Sequence, residues 1–301
     1  MRVTQGMMNT QMMTNLRANN ARMMKYEDML ASGKRLNRPS DDPIGVGYAM
    51  RYHAQIARNN QYQEAVDDGQ SHLDFLDTTL NQANQILSRA RDLAVRASTG
   101  SMSVGDRQTV ANEIDQLYQQ LTETGNTSFN GRYIFNGQMT DVKPYSTTPE
   151  AEGTDSGEIN FMMSEGVSIP VNVIGQDVFG DPATAATLDT SDNAFAILKS
   201  LKNALNSDNQ TIIGASVQRL DVRLEKVQAV WADVGARANR VELLSNRLKD
   251  FDLNLNELLS KTEDADIPET IMNMQMAENV QRASLSTGSR IIQPTLVDFL
   301  R

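Results

Sequence analysis

Residues 73–97 read LDFLDTTLNQANQILSRARDLAVRA. Leu73, Leu76, Leu80, Ala83, Leu87, Ala90, Ala94 and Ala97 fall at alternating spacings of three and four. That spacing places all eight on one stripe of a helix. At 1.5 Å per residue the stripe predicts a seam of roughly 37 Å. One helix cannot bury such a stripe alone, so the stretch requires a helical partner. The second half of the chain supplies one. Val217, Leu220, Leu224, Val227, Trp231, Val234, Ala238 and Val241 repeat the pattern, and Leu244, Leu248, Phe251, Leu255 and Leu258 continue it after a one-step phase shift. A slip of this kind alters the supercoil without ending the helix, so 215–262 is expected to be one helix of roughly 70 Å. A shorter stripe, Val110, Ile114, Leu117 and Leu121, follows a Gly/Ser turn at 99–106.

Proline placement agrees with this reading. None lies in 44–143 or 183–267, and an interior proline would cost a helix about 3 kcal/mol. Ser40-Asp41-Asp42-Pro43 precedes the first long tract. Adjacent carboxylates do not face each other on a helix, so this is no acid–base pair. Asp42 is expected to cap a helix with Pro43 at its first position. Between the tracts, 139–192 holds four of the eight prolines and many acids. Ile159-Asn160-Phe161 and Val167 to Ile174 alternate apolar and polar residues, as short strands do. This segment is expected to be a small, solvent-facing β-rich insertion, followed by a short helix at about 193–206.

The two ends form a third zone. Met12, Leu16, Met23, Tyr26 and Leu30 make one stripe, with Asn19 filling a heptad place. Ile271, Met274, Ala277, Ser284 and Ile291 make a weaker one. Neither end can bury its stripe alone, and the many N-terminal methionines suit an adaptable interface. The expected architecture is therefore mainly α: an elongated antiparallel helical bundle of N- and C-terminal arms with a small β-rich domain inserted in the middle. Its parts are terminal assembly helices at 1–43 and 266–301, flexible in the monomer, a helical rod at 44–138 and 192–265, and the insertion at 139–191.

Composition narrows the function. The chain has 301 residues, 28 Lys+Arg and 38 Asp+Glu, giving a net charge of −10. That balance argues against general nucleic-acid binding. The absence of cysteine excludes disulfides and thiolate chemistry, and His53 and His72 are too few for a histidine metal site. No apolar run approaches the ~20 residues of a membrane span, and the first twenty residues lack the apolar core of a cleavable export signal. No nucleophile stands with a base at a readable spacing, and no glycine loop precedes a helix to cradle phosphate. No enzymatic activity, cofactor or metal is expected.

Several motifs together carry a resemblance. Leu30 to Asn37 (LASGKRLN), followed by Ser40 to Gly45, resembles the N-terminal signature of the bacterial flagellin family. Asn126 to Gly137 resembles that family's second N-terminal motif, and Val234 to Glu242 its C-terminal helix motif. Tyr133 to Gly137, Ile169 to Gly180, and the ending through Leu296 to Phe299, Leu300 and Arg301 are more similar to the hook–filament junction branch than to filament subunits, which remain the alternative. A cytosolic coiled-coil scaffold is a further alternative from a different class.

The resemblance implies a non-enzymatic structural subunit of the extracellular flagellum, exported unfolded through the flagellar type III channel. The implied partners are a neighbouring hook-associated protein, flagellin, copies of itself in a ring, and an export chaperone on the C-terminal region; nucleic acid and membrane are not among them. The implied assembly interface is Met12, Leu16, Met23, Tyr26, Leu30, Ile271, Met274, Ala277, Ile291, Leu296, Phe299 and Leu300. Leu87 to Val95 resembles a flagellin segment used in packing and read by an innate receptor. Because Leu87, Ala90 and Ala94 lie on the seam, Arg89, Asp92 and Arg96 are expected to point outward.

Overall fold

Short polar side chains set where the helices begin. Asp42 Oδ1 accepts the backbone N–H groups of Ile44 (3.1 Å) and Gly45 (3.0 Å), and Pro43, which has no N–H to satisfy, opens the helix. Ser103 caps the next helix by accepting Asp106 N–H. Asn193 caps a third by accepting Phe195 and Ala196 N–H, while its own amide donates to Gly180 O and Asp181 O.

The computed structural model describes residues 5–99 and 102–292. Its helices are α1 (Gln5–Ser32), α2 (Pro43–Ser98), α3 (Val104–Gly125), α4 (Gly175–Phe179), α5 (Ala194–Asn206), α6 (Gln210–Glu263) and α7 (Ile267–Ile292). Its strands are β1 (Ser128–Phe129), β2 (Arg132–Tyr133), β3 (Asn160–Ser164) and β4 (Val167–Pro170). They form two antiparallel hairpins, with Phe129 opposite Arg132 and Phe161 opposite Ile169. The fold is mainly α with a small β region, as expected. No helix among the described residues is long and apolar enough to cross a membrane.

The chain divides into two compact units. One runs over Asn59–Lys249; the other takes the described residues up to Arg58 and from Asp250 onward. The larger unit holds the core. All eight seam residues of α2 are fully buried, together with Leu220, Val227, Val234 and Val241 of α6 and Ile114 and Leu121 of α3. Each such leucine contributes about 1.5–3 kcal/mol through burial. Trp231 is half-buried, its indole N–H donating to Asp77 Oδ1 at 2.6 Å.

The middle segment differs from the expectation of a solvent-facing insertion. Phe135, Tyr145, Met163, Ile169, Val171, Val178 and Phe179 belong to the same core as α2 and α6. Phe135, Tyr145 and Phe179 form an aromatic nest with Phe195 of α5, with centroids 4.8–5.5 Å apart. In a chain only 5% aromatic, this nest fills space that the aliphatic seams leave open. The second strand is also shorter than expected, ending at Pro170. Beyond it the Asn172 side chain takes over, accepting Ile159 N–H at 2.9 Å and donating to Gly157 O at 2.9 Å.

Two arginines of α6 fasten α4 and the loop that follows it. Arg223 is 2% exposed. It donates to Asp192 O (2.8 Å), Asp192 Oδ2 (2.6 Å), Asp177 O (3.3 Å) and Val178 O (3.4 Å). Gly180, at φ 98°, lies so close that a Cβ there would stand 2.6 Å from the guanidinium. Arg219 donates to Leu188 O, Ser191 O, Ser200 Oγ and Ser216 Oγ. Burial lowers the pKa of both arginines. A further buried anion, Glu150, accepts from Tyr118 Oη at 2.8 Å and pairs with Lys199.

Candidate assembly interface

The smaller unit is organised around a knot where two inter-helix joints meet. After α1, Gly33 N–H returns to Met29 O (2.9 Å), and Ala265 N–H donates to Gly33 O (2.9 Å). Arg35 N–H and Leu36 N–H both reach Glu263 O, and Arg35 Nη2 donates to Thr262 O. The Glu263 carboxylate holds Lys34 Nζ at 2.6 Å and His53 Nε2 at 2.8 Å. Burial pushes this carboxyl upward, but the hydrogen bonds from Lys34 and His53 outweigh it and hold its pKa below the usual value. The knot ties the α1–α2 connection to the α6–α7 connection, which turns α1 and α7 back along each other. Nothing in the local sequence pattern around His53 points to this partner 210 residues away.

Helices α1 and α7 pair antiparallel. Asn19 Nδ2 donates to Ala277 O (2.9 Å) and Gln281 Oε1 (3.1 Å), and Met12 packs at Gly288. Met12, Leu16, Met23, Tyr26 and Leu30 lie half-buried on the same side as Asn19, which is 4% exposed. On α7 the covered line is Thr270, Met274, Ala277, Gln281, Ser284 and Gly288, mostly small or polar residues. Ile271 sits one position off that line and is exposed. The side chain of Ile291, and Leu296, Phe299 and Leu300, lie outside the described residues.

Such a pair hides little apolar area. Leu36, Ala49, Leu255 and Ala277 are the buried apolar residues among those described in this unit. Met7, Met8, Met13 and Met24 of α1 and Met272, Met276, Val280 and Leu285 of α7 are exposed, as are Ile44, Met50, Phe251, Leu253 and Leu258. Phe251 and Leu258 were expected in the α6 seam; here only Leu255 between them is covered, because the unit is too thin to bury a full stripe. A satisfied asparagine in the seam fixes register, while outward apolar rows leave surface suited to association.

Arg89, Asp92 and Arg96 are exposed, and Leu87, Ala90 and Ala94 beside them are fully buried. Arg89 pairs with Glu113 of α3, at 2.5 Å from Nη2 and 2.7 Å from Nε. That contact ties part of this surface to α3 and is invisible in the helical period of α2 alone.

Comparison with known proteins matches these elements. The bacterial flagellin N-terminal helical region matches residues 3–140, and the C-terminal helical region matches residues 202–300. Flagellar hook-associated protein 3 of Escherichia coli is 29% identical over 94% of this chain and 95% of its own length. Flagellin of Bacillus subtilis is 27% identical over 96% of this chain and 94% of its own. The crystal structure of the flagellar junction protein FlgL from Legionella pneumophila superposes with a TM-score of 0.61 at 17% identity, covering 72% of this chain and all of that one. The two matched regions bracket the middle segment and contain every helix except the short α4 and the start of α5, and on that extent the chain belongs to the bacterial flagellin family.

Proposed function

We propose that this chain is a structural subunit of the bacterial flagellum that joins hook to filament, with α1 and α7 as its assembly elements. The observation that carries the reading is the α1–α7 pair: a thin seam held in register by a buried asparagine inside and apolar rows outside. A pair built this way is incomplete until neighbours cover it. The near full-length similarity to hook-associated protein 3 of Escherichia coli supports the junction role. On this reading the subunit leaves the cell through the flagellar type III channel, with a chaperone on its C-terminal region. It then forms a ring of its own copies between a hook-associated neighbour and flagellin. The terminal segments 1–43 and 266–301 assemble, 44–138 and 192–265 form the rod, and 139–191 is the β-rich insertion, packed into the core of the rod.

Similarity to the Bacillus subtilis flagellin favours a second reading, the filament subunit itself. Deleting the gene separates them. A junction subunit leaves cells with hooks that shed flagellin into the medium. Cells that keep normal filaments refute the role, and cells that stop making flagellin altogether move it to the filament. In vitro, purified chain seeded with filament fragments in kosmotropic salt stays short as a junction subunit and grows long filaments as flagellin.

A further inference from the structure

We propose that Met12 is an oxidation site that acts as a latch on the α1–α7 pair, closed as the thioether and opened as the sulfoxide. The inference does not depend on the flagellar reading.

Two contacts set the register of this antiparallel pair, and they stand one heptad apart on both helices. Asn19 meets Gln281, and seven residues further along each helix, in opposite directions, Met12 meets Gly288. Gly288 is buried within α7. A Cβ built on it would lie 1.8 Å from Met12 Cε and 2.8 Å from Met12 Sδ. The end of the thioether therefore occupies the space a side chain at 288 would take, a knob seated on the bare backbone of Gly288. The contact lies along a groove of about 450 Å³, lined in part by Met8, Asn15 and Thr287. Met12 is half-buried rather than sealed, so a small oxidant entering along the groove reaches the sulfur.

The chemistry is a two-electron oxidation. A sulfur lone pair attacks hydrogen peroxide, the O–O bond breaks, an S–O bond forms and water leaves. The product is polar and carries its new oxygen on Sδ, directly bonded to the Cε that fits closest. An added oxygen on Sδ cannot share the Gly288 notch, so the knob must withdraw. The outward methionines Met7, Met13 and Met24 undergo the same reaction, but their new oxygens face water and change no packing.

The test uses the purified full chain, treated with hydrogen peroxide and quenched. Peptide mass spectrometry locates the added oxygen, and amide hydrogen exchange reads the helices. With Met12 oxidised, exchange in α1 around residues 8–19 and in α7 around 281–289 should quicken about tenfold, while the larger unit is unchanged. Methionine sulfoxide reductases should restore protection. Met12→Leu should hold its protection under peroxide, and Gly288→Ala should loosen the same segments without oxidant. The proposal fails if Met12 carries the oxygen and exchange does not change. It fails equally if Met12→Leu loosens as much as the parent under peroxide, or if Met12 stays reduced while Met8 and Met13 are fully oxidised.

Discussion

Replacing Arg223 with methionine keeps most of the apolar stem and removes the guanidinium fork. Three main-chain carbonyls, of Asp177, Val178 and Asp192, and the Asp192 carboxylate then lose a donor. The contacts to Asp177 and Val178 are long, at 3.3 and 3.4 Å, and count for little. Asp192 is about one-third exposed and keeps Lys226, so water and that lysine recover part of its loss. The short bond to Asp192 O and the buried site remain. Breaking a buried charge pair by removing one partner costs about 3–5 kcal/mol, and these offsets point to the lower end, about 3 kcal/mol. In a unit of this size that lowers Tm by roughly 6–12 °C. Thermal and urea unfolding followed by circular dichroism would measure it. Asp192→Asn, which leaves the main-chain contact and one side-chain oxygen, should cost only about 1 kcal/mol. A shift of less than about 2 °C for Arg223→Met would show that the loop at 177–192 is held by packing and not by this arginine.

Acid should weaken the same unit through Glu150. Burial pushes its carboxyl up, but Lys199 and Tyr118 hold it net below its ordinary 4.5. Its stabilisation is present above about pH 4.5 and is lost as pH falls through the lower folded-state value. Urea midpoints should decline below that pH, and Glu150→Gln should flatten the decline; parallel curves would remove Glu150 from the account. Replacing 144–190 with a short linker should abolish cooperative unfolding of the larger unit, because Tyr145, Met163, Val171 and Phe179 leave the core. A sharp transition near the parent's midpoint would show that the helical seams suffice alone.

What the sequence disclosed follows from the range of each signal. Helical period is local, so Leu73 to Ala97 could be placed on one face from spacing alone, and all eight residues are fully buried. Caps are equally local, and Asp42, expected to cap the helix that Pro43 opens, accepts two of its first N–H groups. The second seam held wherever enough structure surrounds α6, at Leu220, Val227, Val234 and Val241, and thinned at Phe251 and Leu258 where little does. Periodicity says which residues share a face, not whether anything covers it.

Long-range placement stayed hidden. Arg223 reads as one more charge on a helix, yet it is fully buried, because its partners lie 31 to 46 residues back, in the one-turn helix α4 and the loop after it, which carry no periodic signal. The middle segment alternates like an exposed hairpin, yet its aromatics complete the nest that Phe195 begins. At the ends, the sequence identified apolar stripes needing partners, and the tertiary structure decided which line of α7 faces α1. That line follows Ala277, Gln281 and Gly288, because close approach of two helices favours small residues and a satisfied amide over the largest apolar side chains. Ile271, Met272 and Met276 are left outward. The sequence by itself determined which segments are helical and which faces are apolar, since both depend on neighbours within a few turns. Only the tertiary structure decided which polar groups are buried, since that depends on partners brought from far along the chain.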